Sequence, residues 1–302
     1  TADIWDLDGG HCAPFIRVTE CPIARIVLPD GSVTTVKLTP PKIIPRGGCS
    51  DRLLISSAVD KTADFLPTYR QSKRFDRLGL ELPRSKLARW HIRLAEFLSA
   101  LAGAILEETL QCQVLGVDDS VHRLLEGSEG GAKQSRLWIV QAQKNSFYLF
   151  SETREAKWLL NMLDDYSGAV MGDAYIANEK LFKREDIVPL LCWAHVRRKF
   201  FEAADRRRAS IMLDLIGQLY DIEKAIADCP ATQRQFRRHG EAKPILTTIK
   251  RQLDDWDADP AILPQSGIGK AVTYAHKRWD WLTNYCDTPL AAIDNNAAER
   301  GM

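Results

Sequence analysis

Residues 112–192 carry the pattern that most limits how this chain can fold. "CQVLGVDDS" is a short apolar run ending in carboxylates, "RLWIVQAQ" and "SFYLFSE" alternate around "KN", and "TREAKWLLNMLDDY" has helical spacing behind a Thr cap. "GAVMGDAY" is a second buried run ending in a carboxylate, and "IVPLLCWAH" follows the helical "NEKLFKRE". Period-two runs read as strands and period-3.6 runs as helices, because side chains alternate across a strand and return to one face of a helix every third or fourth residue. The order strand, strand, strand, helix, strand, helix, strand predicts an α/β sheet of mixed pairing with flanking helices.

Helical segments lie on both sides. From about 50 to 110, Leu53, Leu54, Ala58, Leu66, Leu87, Trp90, Leu94 and Leu98 recur at helical spacing, and "GLELPRSKLARWHIRLAEFL" sets a Gly turn and a Pro start before an amphipathic helix. That order is expected of a helix-turn-helix or of a plain helical pair. From 196 to 260, Ile211, Leu215, Leu219, Ile222 and Ile226 form one stripe, and Ile245, Ile249, Leu253 and Trp256 a second. A final strong helix is expected over "KAVTYAHKRWDWLTNYC", followed by "IDNNAAERGM". Ahead of all this, "FIRVTE" and "ARIVLPDGSVTTVKL" are β-like, with "PDGS" a hairpin signal, and "TPPKIIPRGGC" reads as a linker. The expected divisions are 1–49, irregular and β-rich; 50–110, helical; 111–195, first part of the α/β core; 196–262, a helical insertion; and 263–302, the closing helices.

Composition excludes some classes. With 302 residues, 45% hydrophobic and 27% charged, the chain buries at least one large core. No run reaches the roughly 18 to 20 apolar residues of a membrane helix, and "TADIWDLDGGHC" lacks the pattern of a secretory signal, so the cytosol is the expected compartment. Seven widely spaced cysteines argue for reduced thiols. The net charge of +1 hides local basic clusters at Arg197, Arg198 and Lys199, at Arg206 to Arg208, and at Arg234, Arg237 and Arg238.

Two aspartates stand where apolar runs meet polar residues, Asp118 and Asp173. Strand ends are where open α/β sheets place ligands, and paired carboxylates suit a hard cation such as Mg²⁺. Glu299 is a candidate third ligand, although it also stands three residues after Asn296, the spacing of a capping box. In "CWAHVRRKFFEA", Cys192 and His195 have the spacing of two Zn²⁺ ligands, but Cys229, His239, His276 and Cys286 do not complete the set. A structural role, with Trp193 packed and His195 hydrogen-bonded, is the plainer reading. His11, Cys12, Cys21 and Cys49 lack a C-x-x-C pair, and "GIGKA" at 267–271 lacks the residues of a phosphate-binding loop.

Taken in order, "LPTYRQSKRFDRLGLELPRSKLARW", "VDDS", "GDAY", "CWAHVRRKF", "LPQSGIGKAVTYAHKRW" and "IDNNAAER" resemble the transposases of bacterial insertion sequences of type 66, from about residue 40 to the last. The resemblance implies a ribonuclease H-like core of the DDE class, interrupted by a helical insertion. It makes Asp118, Asp173 and Glu299 the acidic triad that holds two Mg²⁺ or Mn²⁺ ions for cutting transposon ends and joining them to target DNA. It implies DNA contacts from the helix-turn-helix region, at Arg70, Arg84, Lys86 and Arg89, and from Arg197, Arg198 and Lys199. It further implies a homo-oligomer on nucleoid DNA, with accessory proteins of the same element. This chain departs from the family pattern in having Asp119 and Ser120 after Asp118, and Ala174 after Asp173. The family's continuation after the terminal Glu-Arg is absent, which raises the expectation of a truncated or impaired copy that binds DNA without turnover. A nuclease that cuts without joining is a further alternative.

Overall fold

The structure is a computed structural model that describes residues 2–7, 14–37, 40–45, 48–124, 133–143, 145–174, 176–203 and 205–301. It divides into two compact units, Thr1–Gly103 and Ala104–Met302.

The first unit opens with two antiparallel hairpins, β1 (Ala2–Leu7) with β2 (Pro14–Thr19), and β3 (Ile23–Val27) with β4 (Val33–Lys37). The "PDGS" signal makes the second turn: Gly31 takes φ 80°, and the Asp30 carboxylate accepts from the Ser32 amide at 2.9 Å. Three helices follow, α1 (Asp51–Thr62), α2 (Thr68–Arg77) and α3 (Arg84–Leu110), with the unit boundary inside α3. Ser50 caps α1 by accepting from the Leu53 amide at 3.1 Å. Between α2 and α3 the chain turns through Gly79 at φ 76°, which lets Leu80 and Leu82 drop into a core of Leu53, Leu54, Phe75, Leu87 and Trp90. Cys49 is buried in that core, while His11 and Cys12 lie outside the described residues.

The second unit is built on a five-stranded sheet in the order β7-β6-β5-β8-β9. Its strands are β5 (Val114–Leu124), β6 (Lys133–Ala142), β7 (Asn145–Ser151), β8 (Gly168–Gly172) and β9 (Ile187–Leu191). β5, β6 and β7 pair antiparallel, whereas β5, β8 and β9 run parallel, so the sheet is mixed as its period-two runs predict. The helices α4 (Lys157–Met162) and α5 (Ile176–Leu181) make the crossovers to the parallel strands. α4 starts later than its sequence suggests and has no side-chain cap, because Thr153 turns its hydroxyl to Glu155 instead. Strand alternation divides the core: Leu115, Val117 and Val170 pack with α4, and Ala169 and Met171 pack with the later helices.

Those later helices are α6 (Trp193–Glu202), α7 (Arg206–Ala225), α8 (Ala231–Arg237), a π turn at Arg238–Ala242, and α9 (Lys243–Asp257). α10 (Gly267–His276), α11 (Trp279–Thr283) and a 3-10 turn at Asn284–Cys286 come next, then α12 (Asn296–Gly301). Two expectations are corrected here. Of the stripe expected on α7 and just after it, Leu219 and Ile226 are buried and Leu215 and Ile222 pack against the core, but Ile211 is exposed, and Ala209, Met212 and Ile216 complete the buried face instead. The single helix expected over 270–286 breaks at Lys277 and Arg278, where Arg278 leaves helical geometry at φ −124° and pairs with Glu179. "GIGKA" is the start of α10: Ser266 caps it at the Gly269 amide, and a side chain at Gly269 would strike the Leu263 backbone. Among the described residues no helix is long and apolar enough to cross a membrane.

Candidate active site

The parallel pairing of β5 with β8 ends at Gly116 opposite Met171. Two residues beyond that pair stand Asp118, still within β5, and Asp173, just past the end of β8, close enough for the Asp173 charge to act on Asp118. Asp173 follows the last residue of β8, as its sequence suggests. Asp118 does not end its strand: β5 continues to Leu124, held by antiparallel pairing to β6, with Asp118 opposite Ile139. The polar residues after Val117 read as a loop because that half of the strand is only partly buried.

Alternation along the strand separates the two adjacent carboxylates. Asp119 faces the other way, where its side chain is 6% exposed and lies 3.0 Å from Arg136 and 3.1 Å from Arg154. The Arg136 contact is an ion pair without hydrogen-bond alignment, since Asp119 Oδ2 has no hydrogen-bond partner among the described residues. Asp118 is placed differently. Burial, and then the charges of Asp173, Glu299 and Asp119, push its carboxyl up to about 6, against the help of the Asp119 amide, which donates to it at 2.8 Å. Tyr274 stands beside Asp173; burial first and the Asp173 charge second hold its phenol above the usual range.

Glu299 reaches this site on α12, a helix of six residues that would not persist alone. Tertiary bonds hold it. Asn295 donates to the Val117 carbonyl at 2.9 Å, Tyr148 donates to the Gly301 carbonyl at 2.5 Å, and Tyr220 donates to Asp294 at 3.0 Å. The capping box expected from Asn296 and Glu299 does not form: Asp294 accepts from the Asn296 amide at 3.1 Å. The Glu299 carboxylate is turned instead toward α6, 3.8 Å from His195 Nε2 and 4.0 Å from Cys192 Sγ.

Trp193 is packed as expected, donating to the Leu282 carbonyl at 2.8 Å. His195 is not hydrogen-bonded as expected, because its Nδ1 is buried with no partner among the described residues. The third residue of the Cys192 and His195 cluster is Glu299, which lies 107 residues after Cys192 and so escapes any search by local spacing.

The basic candidates separate by environment. Arg197, Arg198 and Lys199 are exposed on α6; the two arginines line a groove of about 580 Å³ with Phe201, Tyr220 and Asn296, and Lys199 lies over the Tyr274 ring. Arg70, Arg84 and Arg89 are exposed, and Lys86 is half-buried over Trp90. In the other two clusters several arginines are engaged within the fold, while Arg206 and Arg207 are exposed. Arg208 pairs with Asp205 and Asp259, Arg237 with Glu241, and Arg234 donates to the carbonyls of Ala227 and Cys229. Arg238 is 1% exposed and spends its donors on Glu223 and on the carbonyls of Tyr285, Thr288 and Ala291.

Comparison with known proteins bears on the same stretch. The chain is 28% identical over 281 residues to the uncharacterized protein y4jD of Sinorhizobium fredii (strain NBRC 101917 / NGR234), a match covering 87% of this chain and 55% of the relative. It is 27% identical over 293 residues to y4qI of the same strain, covering 90% of this chain and 53% of the relative. The chain thus spans about half the length of the relatives it matches. The model of the Transposase IS66 family matches residues 46–302, which takes in the three helices of the first unit, the mixed sheet and α12, and the chain belongs to that family.

Proposed function

We propose that the chain is a DDE transposase with a ribonuclease H-like core, cutting transposon ends and joining them to target DNA. One observation carries this reading: Asp118 on β5 and Asp173 just past the end of the neighbouring parallel strand β8 each stand two residues beyond the same strand pair, with the Asp173 and Glu299 charges felt at Asp118.

The donor set fits a hard divalent cation. The charges of Asp173 and Glu299 raise the cost of ionising Asp118, and oxygen donors are what Mg²⁺ or Mn²⁺ prefers. Asp118, Asp173 and Glu299 would hold two such ions, which when bound activate a water or a DNA 3′ hydroxyl and stabilise the leaving oxygen. The chain's own part is positional. β5 and β8 fix the two aspartates, and the bond from Asn295 to Val117 fixes the approach of α12. Arg197, Arg198 and Lys199, exposed within about one turn beyond His195 on α6, are suited to hold backbone phosphates next to the carboxylates. In the first unit, α2, the Gly79 turn and α3 are read as a helix-turn-helix for the element's ends, with Arg70, Arg84, Lys86 and Arg89 as contacts. Action on nucleoid DNA as a homo-oligomer, with accessory proteins of the element, belongs to the same proposal.

The test is an assay with labelled transposon-end DNA, target DNA and Mg²⁺, run beside an Asp173→Asn variant. End cleavage and joining lost in the variant support the proposal. Cleavage without joining replaces it with a nuclease, and binding without cleavage in the wild-type chain replaces it with a DNA-binding role.

A further inference from the structure

The side chains of Cys192, His195 and Glu299 meet at the first turn of α6, and their ligand atoms all lie within 4.8 Å of one another. Zinc bonds of about 2.0–2.3 Å in a tetrahedron put neighbouring ligand atoms roughly 3.3–3.8 Å apart. The observed 3.8 Å from His195 Nε2 and 4.0 Å from Cys192 Sγ to the same Glu299 oxygen thus require only a small closure. The sulfur already faces hydrogen-bond donors. It accepts from the Asn295 amide at 3.2 Å, and the Ala194 and His195 amides at the start of α6 point to it as well. A sulfur, a nitrogen and an oxygen suit Zn²⁺ and not Mg²⁺. The His195 and Glu299 side chains are 25% and 27% exposed, which leaves a fourth position open to water.

We propose that Cys192, His195 and Glu299 form a three-ligand Zn²⁺ site, chemically distinct from the carboxylate set and sharing Glu299 with it. Binding forms a bond from zinc to sulfur and releases the thiol proton to solvent. The site itself stands without the transposase reading. One consequence rests on that reading: Zn²⁺ held here withdraws Glu299 from Asp118 and Asp173 and inhibits cleavage.

Co²⁺ titrated into the full chain tests the site, because a cobalt thiolate absorbs in the near ultraviolet and tetrahedral cobalt in the visible. A Co²⁺ bound with both bands, displaced by Zn²⁺, is expected. Cys192→Ser is expected to lose the thiolate band, His195→Ala to lose tight binding, and Asp118→Asn to keep both. Absence of the thiolate band in folded wild-type chain, or its survival in Cys192→Ser, overturns the site. Should Cys192→Ser fail to fold by circular dichroism, Glu299→Gln carries the test, and an unchanged Co²⁺ affinity there overturns it. Because the cobalt spectrum needs no DNA, it decides the zinc site even where the chain cleaves nothing. In a chain that cleaves, inhibition by Zn²⁺ that is as strong in His195→Ala as in wild type overturns the shared use of Glu299.

Discussion

Asn295 donates a buried hydrogen bond of 2.9 Å from Nδ2 to the carbonyl of Val117, tying the residue before α12 to the residue before Asp118. Gly116 makes this approach possible, since a Cβ there would stand 2.8 Å from Asn295 Oδ1 and 3.3 Å from the Ala298 methyl. Gly116→Val is therefore expected to keep the sheet, by far-ultraviolet circular dichroism, while displacing Glu299 and lowering DNA cleavage by about 10²-fold, the scale of a misplacement near 1 Å. Cleavage at the wild-type rate would show that α12 does not set the site.

The Asp118 carboxyl, raised from 3.8 to about 6, makes the metal-free fold lose stability as the pH climbs from about 4 through about 6. Over that range the native state gives up a proton against its neighbours that the unfolded chain has already released. Partial solvent exposure reduces the effect to about 1–2 kcal/mol. Mn²⁺ is expected to raise the thermal midpoint more at pH 8 than at pH 5, where the site is largely protonated, and Asp118→Asn is expected to flatten the difference. Equal shifts at both pH values in wild type would remove Asp118 from the ligand set.

Asp119 offers the control that its neighbour needs. Asp119→Asn leaves Arg136 with a weakened partner on the far face, and a loss of about 1–3 kcal/mol in chemical denaturation is expected. Mn²⁺ binding should survive in that variant and fail in Asp118→Asn. Loss of Mn²⁺ binding in both, with both folded, would contradict the division of the two carboxylates between faces.

Arg238→Met removes a buried cation that serves Glu223 and three carbonyls at once. Breaking such a pair from one side costs about 3–5 kcal/mol. Paired replacement, Arg238→Met with Glu223→Leu, is expected to recover part of that loss. A single variant as stable as wild type in urea would show that the guanidinium holds nothing together.

Arg197→Ala with Arg198→Ala is expected to weaken DNA binding and to reduce the slope of log affinity against log salt by about 1 for each phosphate that the variant no longer neutralises. An unchanged slope would take α6 out of the DNA-binding surface. Arg234→Ala, whose guanidinium is bonded to the carbonyls of Ala227 and Cys229 ahead of α8, is expected to leave the slope alone.

The strands and helices of the second unit were legible because each apolar run has the period of its element, and the mixed sheet follows from their order. What the sequence leaves out is three-dimensional register. It does not tell that Asp118 and Asp173 stand beyond the same strand pair, that Asp119 turns away, or that α7 buries Met212 in place of Ile211. Charge clusters were the least legible feature, because a written run of arginines carries no sign of whether carboxylates from distant helices meet it. Arg238 and Arg197 look alike in the sequence, yet one is a core residue and the other faces solvent. The partnership of Cys192, His195 and Glu299 was equally hidden, since two of its members come from the first turn of one helix and the third from another helix 107 residues on.

Arg238 bonds to the carbonyls of Tyr285, Thr288 and Ala291, just ahead of the segment that carries α12. Its guanidinium has all its partners only when α7 and the stretch 285–291 have both arrived: without α7 its charge lacks Glu223, and without that stretch its bonds to the three carbonyls are unmade. On the proposed chemistry this links competence to completion of folding: a half-finished molecule has its two aspartates but no third carboxylate, and is harmless to the DNA around it.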